Sequence, residues 1–247
     1  MDAADRVTIV TGGSRGIGAG ICRELGRRGH AVAVAYRSAA EEAERVVAEI
    51  EQAGGRAYAQ ACDVTDGAAI DALFATTAER LGPVTGLVNN AGATLTSADL
   101  ADTDEESIRA VLELNLTAAI LCARRAVQVL STARGGPGGS IVNISSAAAT
   151  IGSAHEYVHY AAAKAGVDML TLGLAIEVAG EGIRVNAVAP GTVRTDIHVP
   201  GRIERVGPLV PMGRVGEVAE IAPAVAYLMS PEASYTTGTI IRVAGGR

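Results

Sequence analysis

A β-branched run, Val7 to Val10, passes without a spacer into Thr11-Gly12-Gly13-Ser14-Arg15-Gly16-Ile17-Gly18, and that turn passes into apolar residues at helical spacing, Ile17, Ile21 and Leu25. Few chains can accommodate strand, glycine turn and helix in so short a span except as the first unit of an α/β sheet. Glycines let the backbone approach a bound pyrophosphate, and the following helix aims free N–H groups and its positive dipole end at the anion. A purely structural turn would also want glycine. The spacing Gly12-x-x-x-Gly16-x-Gly18 departs from G-x-G-x-x-G, and it is the placement after a strand and before an amphipathic helix that favours a dinucleotide site.

The alternation continues to the end of the chain. Further apolar, strand-like runs occur at Ala31 to Ala35, Arg56 to Ala61, Gly86 to Asn89, Ser140 to Ile144, Arg184 to Val188 and Thr239 to Val243, separated by helical stripes such as Ala43, Val46, Val47 and Ile50. This pattern predicts an α/β fold: one doubly wound parallel sheet of about seven strands, right-handed throughout, with helices on both faces. A content of 49% hydrophobic residues, 30 glycines and only 3% aromatics suits such a helix-covered sheet. With no repeat or linker in its 247 residues, the chain is expected to be one domain over 1–247, and a stretch of about 193–213 is an insertion in it. From Asp196 to Gly213 periodicity dissolves: three prolines, Gly201 and Gly207 mix with Ile197, Ile203, Leu209, Val210, His198, Arg202 and Arg205. A mobile lid over a substrate and a simply exposed loop both fit that composition.

Net charge is −6, and no Lys or Arg run is long enough to track a phosphate backbone, so nucleic acid is not an expected partner. No basic and apolar leader opens the chain, and no apolar run reaches spanning length. A soluble cytoplasmic protein without a membrane partner is expected. Cys22, Cys62 and Cys122 are odd in number and set in apolar patterns, which reads as buried thiols in a reduced compartment. His155 and His159 lack ligand-type partners at metal spacing, so no metal is expected; solvated loop residues or substrate contacts are the options.

The chemistry concentrates between Ser145 and Lys164. Ser140-Ile141-Val142-Asn143-Ile144 reads as a buried strand delivering the Ser145-Ser146 hydroxyls to the carboxyl edge of the sheet, where ligands of such folds bind. In a helix, Tyr160 and Lys164 lie four residues apart on one face. A phenol titrates near pH 10, and a neighbouring cation draws it toward neutrality, as general acid/base work requires.

Ser146, then Tyr160-x-x-x-Lys164, with the glycine turn and Asn89-Asn90-Ala91-Gly92, resembles the short-chain dehydrogenase/reductase family over essentially the whole chain. The Gly12, Gly16, Gly18 spacing matches that family's own fingerprint. The resemblance implies that Ser146 holds the substrate oxygen, Tyr160 is the acid/base, Lys164 holds the nicotinamide ribose and biases Tyr160, and Asn115 anchors a water linked to Lys164. It further implies adenine contacts at Asp63 and Val64 and close passage of a ribose at Asn90, Ala91 and Gly92. Carboxamide contacts would come from Pro190, Val193 and Thr195. Ser146 precedes Tyr160 by fourteen residues, one more than the commonest family spacing, which reads as a longer substrate loop. Asp63 as a helix cap is the competing reading.

In a dinucleotide fold the second strand ends at the adenosine ribose, where an acid selects NAD and an Arg favours NADP. No acid occurs from Ala31 to Ala40; Arg37, Ser38 and the Arg15 of the glycine turn are present instead. NADP(H) is the expected cofactor. The reaction expected is hydride transfer between nicotinamide and a carbonyl or secondary alcohol. The substrate stays open among small ketones, aldehydes, sugars and 3-oxoacyl thioesters of acyl carrier protein, and a catalytically idle dinucleotide sensor is the rival. The loop from Ser146 to Tyr160 resembles sugar or glucose dehydrogenases. The helix after Tyr160 and the helix from Glu105 to about Leu130 carry more apolar residues than one stripe needs, and with the resemblance they imply a homotetramer.

Overall fold

The computed structural model describes residues 6–195 and 201–247. Seven strands form one parallel sheet in the order β3-β2-β1-β4-β5-β6-β7. They are β1 (Val7–Val10), β2 (Ala31–Tyr36), β3 (Arg56–Ala61), β4 (Gly86–Asn89), β5 (Gly139–Ile144), β6 (Ile183–Pro190) and β7 (Ile240–Val243). Between them run α1 (Gly16–Arg27), α2 (Ala40–Gln52), α3 (Gly67–Leu81), α4 (Glu105–Leu112), α5 (Ala118–Leu130), α6 (Ala148–Ile151), α7 (Val158–Val178), α8 (Arg202–Val206) and α9 (Val218–Met229).

Side chains alternate across each strand, so the central strands feed two cores. Val10, Val32 and Val34 pack with Ile21, Leu25, Val46 and Val225 from α1, α2 and α9 on one face. Ile9, Ala33 and Leu87 pack with Leu73, Phe74, Cys122 and Leu130 from α3 and α5 on the other. Strand order reverses at β1, whose neighbours are β2 and β4. That reversal opens a crevice at the carboxyl ends of β1 and β4, beside the ends of β5 and β6.

A buried polar seam crosses this region. The Asn89 amide donates to Asn143 Oδ1 at 3.0 Å and to the Ala119 carbonyl at 3.1 Å. Asn143 donates to Thr171 Oγ1 at 2.9 Å, tying β4, β5, α5 and α7 together beneath the crevice. Each group being satisfied, the seam fixes the relative placement of the elements at modest cost.

The structure departs from the sequence reading in three places. The helix expected from Glu105 to about Leu130 is broken by a π-helical turn at Glu113–Thr117. There Asn115 is buried and its amide donates to the Val111 carbonyl at 2.9 Å and the Ala93 carbonyl at 2.8 Å; side-chain insertion of this kind is what a π turn accommodates. The sixth strand is longer than Arg184 to Val188, because its pairing with β7 continues to Pro190. The stretch expected to be irregular before Gly213 contains α8, while Asp196, Ile197 and His198 lie outside the described residues, as do residues 1–5.

Candidate active site

The glycine turn is built as a close backbone crossing. Gly12 has φ +63° and Gly16 φ +50°, and a Cβ at Gly18 would stand 2.1 Å from the Gly12 carbonyl oxygen. Only glycine permits that contact. The Asn90 amide clamps the turn by donating to the carbonyls of Thr11 at 2.9 Å and Gly12 at 3.0 Å. Thr11 Oγ1 accepts from the Asn90 and Ala91 N–H groups, joining the ends of β1 and β4. Arg15 precedes α1 without capping it by its side chain. The first-turn amides and the positive end of the dipole therefore face the crevice, an arrangement suited to a pyrophosphate.

Toward the end of β2, Arg37 and Ser38 are exposed. Asp63 is not the helix cap: Asp66 fills that role by accepting from the Ala68 N–H at 2.9 Å. Asp63 instead accepts from the amide and hydroxyl of Thr65, which hold its carboxyl below the usual range with a smaller contribution from the charge of Arg37. Val64 is buried in the second core, so only its backbone is available to a ligand. Arg15 Nη2 donates to Glu42 Oε1 at 3.2 Å.

Ser146, Tyr160 and Lys164 share one cleft of about 960 Å³ with Gly12, Arg15, Gly16, Ile17 and Gly18. Asn90, Ala91 and Gly92 line its floor, and Pro190, Val193 and Thr195 its far wall. Ser14, Arg37, Ser38, Asp63, Val64 and Asn115 stand behind or beyond this lining. Asn115 is nevertheless close, since a Cβ at Gly92 would meet its Oδ1 at 2.6 Å and Lys164 Nζ at 3.4 Å. Thr195 reaches the glycine turn, its Cγ2 lying 3.3 Å from where a Gly16 Cβ would be.

The electrostatics of the pair differ from the sequence expectation. Lys164 is buried and its Nζ donates to the Ile144 carbonyl at 2.8 Å, at the end of β5, standing 5.7 Å from the Tyr160 ring centroid. Burial pushes Tyr160 up to about 12, opposed by the nearby Ser146 hydroxyl and raised further by Tyr157. Lys164 is therefore not drawing the phenol toward neutrality in this arrangement. Burial also pushes Lys164 down to about 8, with Asp168 one turn below working against the shift. A neutral phenol that shares the cleft with Ser146 and stands beside an ammonium can donate a proton to an oxygen placed between Ser146 and Tyr160.

On the substrate side the cleft is walled by Ile151, Tyr157, Val206 and Leu209, with Glu156, Arg202 and Arg205 among them. The spacing gave no sign of Glu156 and Tyr157 as site residues, because their partners lie more than forty residues away on α8. Asn143 and Thr171 are not marked by spacing either, although a polar residue within the apolar run of β5 is a visible cue. His155 is exposed with its Nδ1 2.9 Å from Asp99 Oδ1, and His159 is buried on α7. Among the described residues no three His, Cys, Asp or Glu side chains gather as metal ligands, and no helix is long and apolar enough to cross a membrane.

The chain is similar to known proteins along nearly its whole length. A family model described as enoyl-(acyl carrier protein) reductase matches residues 12–247. An uncharacterized oxidoreductase of Escherichia coli (strain K12), YgfF, is 43% identical over 98% of this chain and 99% of its own length. 3beta-hydroxysteroid dehydrogenase 1 of Eggerthella lenta is 41% identical over 99% of this chain and 94% of its own. The crystal structure of a dehydrogenase/reductase from Sinorhizobium meliloti 1021 superposes with a TM-score of 0.92 at 38% identity, covering 98% of this chain and 95% of that one.

Proposed function

Because the chain belongs to the short-chain dehydrogenase/reductase family, we propose that it is an NADP(H)-dependent oxidoreductase interconverting a carbonyl and a secondary alcohol, with Tyr160 as general acid/base. The observation that carries this reading is the meeting, in one cleft, of Ser146, Tyr160, the Lys164 ammonium and the open end of α1. A bound nicotinamide dinucleotide supplies or takes up the hydride. The rest falls to the protein. The amides of Gly16, Ile17 and Gly18 would hold the pyrophosphate, Lys164 the ribose, and Pro190, Val193 and Thr195 the carboxamide. Asp63 and Val64 would meet the adenine. Ser146 fixes the substrate oxygen, and Tyr160 gives it a proton in reduction or removes one in oxidation. Three buried free thiols suit the cytoplasm.

Preference for NADP(H) is supported by Arg15 and Arg37 and by the absence of an acid from Ala31 to Ala40. The nearby Glu42 is already engaged by Arg15, with Arg45 3.7 Å away. We expect NADPH to bind at least about tenfold tighter than NADH, about 1.4 kcal/mol, and Arg37→Asp to reverse the order. Fluorescence titration giving equal dissociation constants for the wild type would remove this part of the reading.

The apolar wall of Ile151, Val206 and Leu209 favours an apolar ketone, in keeping with the steroid named for one relative. A 3-oxoacyl thioester is the second candidate, favoured by the family model's description. A panel of cyclic ketones, aldehydes, sugars and 3-oxoacyl thioesters separates these, and turnover of any of them excludes an idle sensor. Exposed Met169 and Ile176 on α7 and Ile120 on α5 leave apolar surface for copies of the chain, supporting a homotetramer.

A further inference from the structure

The first residue of α8 is an arginine only 8% exposed. A buried guanidinium is costly unless it is paired, so its partners show what it does. Arg202 Nη2 donates to Glu156 Oε2 at 2.7 Å and to Tyr157 Oη at 2.5 Å, and the guanidinium lies 5.5 Å from the Tyr157 ring centroid. Arg205 Nη2, one turn on, donates to Glu156 Oε1 at 3.0 Å. The two residues gripped by Arg202 are consecutive and immediately precede α7. Tyr157 is the N-cap position of that helix. Its ring meets that of Tyr160 edge to face, with centroids 5.4 Å apart and planes at 86°. Such a pair has a preferred geometry, so whatever orients one ring constrains the other.

We propose that Arg202 is a positioning residue for Tyr160, acting through Tyr157, so that α8 and not α7 alone fixes where the phenol points. The inference rests on the oxidoreductase reading and deepens it. An ion pair that merely fastened α8 to the loop would need only Glu156, which Arg205 already holds. Arg202 additionally bonds the Tyr157 hydroxyl and covers its ring, which is the side chain in contact with the acid/base. Among the described residues, the groups facing Tyr160 include Ser146 from the loop after β5, Tyr157 and Lys164 along α7, and Arg202 from α8, with Glu156 behind Arg202. Burial and Tyr157 raise the phenol, while Ser146 and the Arg202 charge lower it. Removing Arg202 therefore disturbs both the orientation and the titration of Tyr160.

The test compares Arg202→Met, Arg202→Lys and Tyr157→Phe with the wild type, using the best substrate of the panel and its alcohol. Arg202→Met should lower kcat about tenfold or more, leave the NADPH dissociation constant within about twofold, and move the rising limb of alcohol oxidation alkaline by about half a pH unit or more. Arg202→Lys keeps the charge but not the planar fork, so it should keep the limb in place and still lose kcat. Tyr157→Phe should lose kcat as well, since its ring stays but its tie to Arg202 is cut. A change in KM alone, or a loss of activity matching a loss of folded protein by circular dichroism, would overturn the proposal. If the wild type reduces no carbonyl, the oxidoreductase reading fails separately. Tyrosinate absorbance during alkaline titration, taken as the difference from Tyr160→Phe, then decides: Arg202→Met must move the Tyr160 titration upward, and an unmoved titration overturns the inference.

Discussion

Tyr160 and Lys164 are shifted in opposite directions by one cause, loss of water. The phenol is pushed up to about 12 and the ammonium down to about 8, so at neutral pH the pair rests as a proton donor beside a cation. Because Lys164 carries the charge expected to meet the ribose, affinity for NADPH should weaken as pH rises through about 8, and Lys164→Ala should bind more weakly and lose that dependence. Fluorescence titration across pH reads it; a flat wild-type profile would remove Lys164 from the binding site. At this scale the sequence was informative where chemistry is local: the glycine turn, Ser146 and Tyr160-x-x-x-Lys164 are contiguous patterns. It was silent on Glu156, Tyr157 and Arg202 as a cluster, since nothing in a short helix indicates which distant loop it will rest on. The upward shift of Tyr160 runs opposite to the direction its spacing from Lys164 predicts, because burial outweighs a cation whose ammonium is turned toward a backbone carbonyl.

The π turn inside the α4 to α5 segment shows how an element carries a site without displaying it in its periodicity. A π turn shifts the apolar stripe by about one residue without interrupting the run of apolar positions, so the spacing predicts one long helix. What marks the break is Asn115, which accepts from the Ala93 N–H at 3.2 Å while donating to the Ala93 and Val111 carbonyls. These bonds hold the loop after β4 against the helix and against Lys164. Asn115→Ala would leave buried backbone groups unpaired, and it should cost about 1–3 kcal/mol by urea denaturation. It should also weaken NADPH binding by loosening the Gly92 loop. A variant with wild-type stability and affinity would show the π turn to be incidental. The strands were readable because alternating β-branched residues serve two cores, and their limits were uncertain by a residue or two because pairing, not composition, ends them.

At the scale of the whole molecule, the fold buries a histidine far from the cleft. His30 is 2% exposed, with its Nδ1 2.8 Å from Thr8 Oγ1, and burial, reinforced by the charges of Arg6 and Arg28, pushes it down to about 4. Its folded value lies below its unfolded one near 6.5, so the unfolded chain takes up a proton first as pH falls. Stability should therefore be lost between about pH 6.5 and about 4, by up to roughly 3 kcal/mol from this group. His159, lowered by burial, adds in the same direction. His30→Gln should be less stable at pH 7 but flatter across that window by thermal denaturation, and an equally steep profile would refute the assignment. The sheet order follows from the alternation of elements, and it is this topology that brings residues from Gly12 to Thr195 to one edge. Whether that edge performs the chemistry argued here is tested most directly by NADPH consumption with the carbonyl panel, wild type against Tyr160→Phe. The wild type should reduce at least one carbonyl, and Tyr160→Phe, which keeps the ring, should lose roughly a hundredfold or more in kcat while binding NADPH as before. Reduction that survives in Tyr160→Phe at most of the wild-type rate would contradict the account.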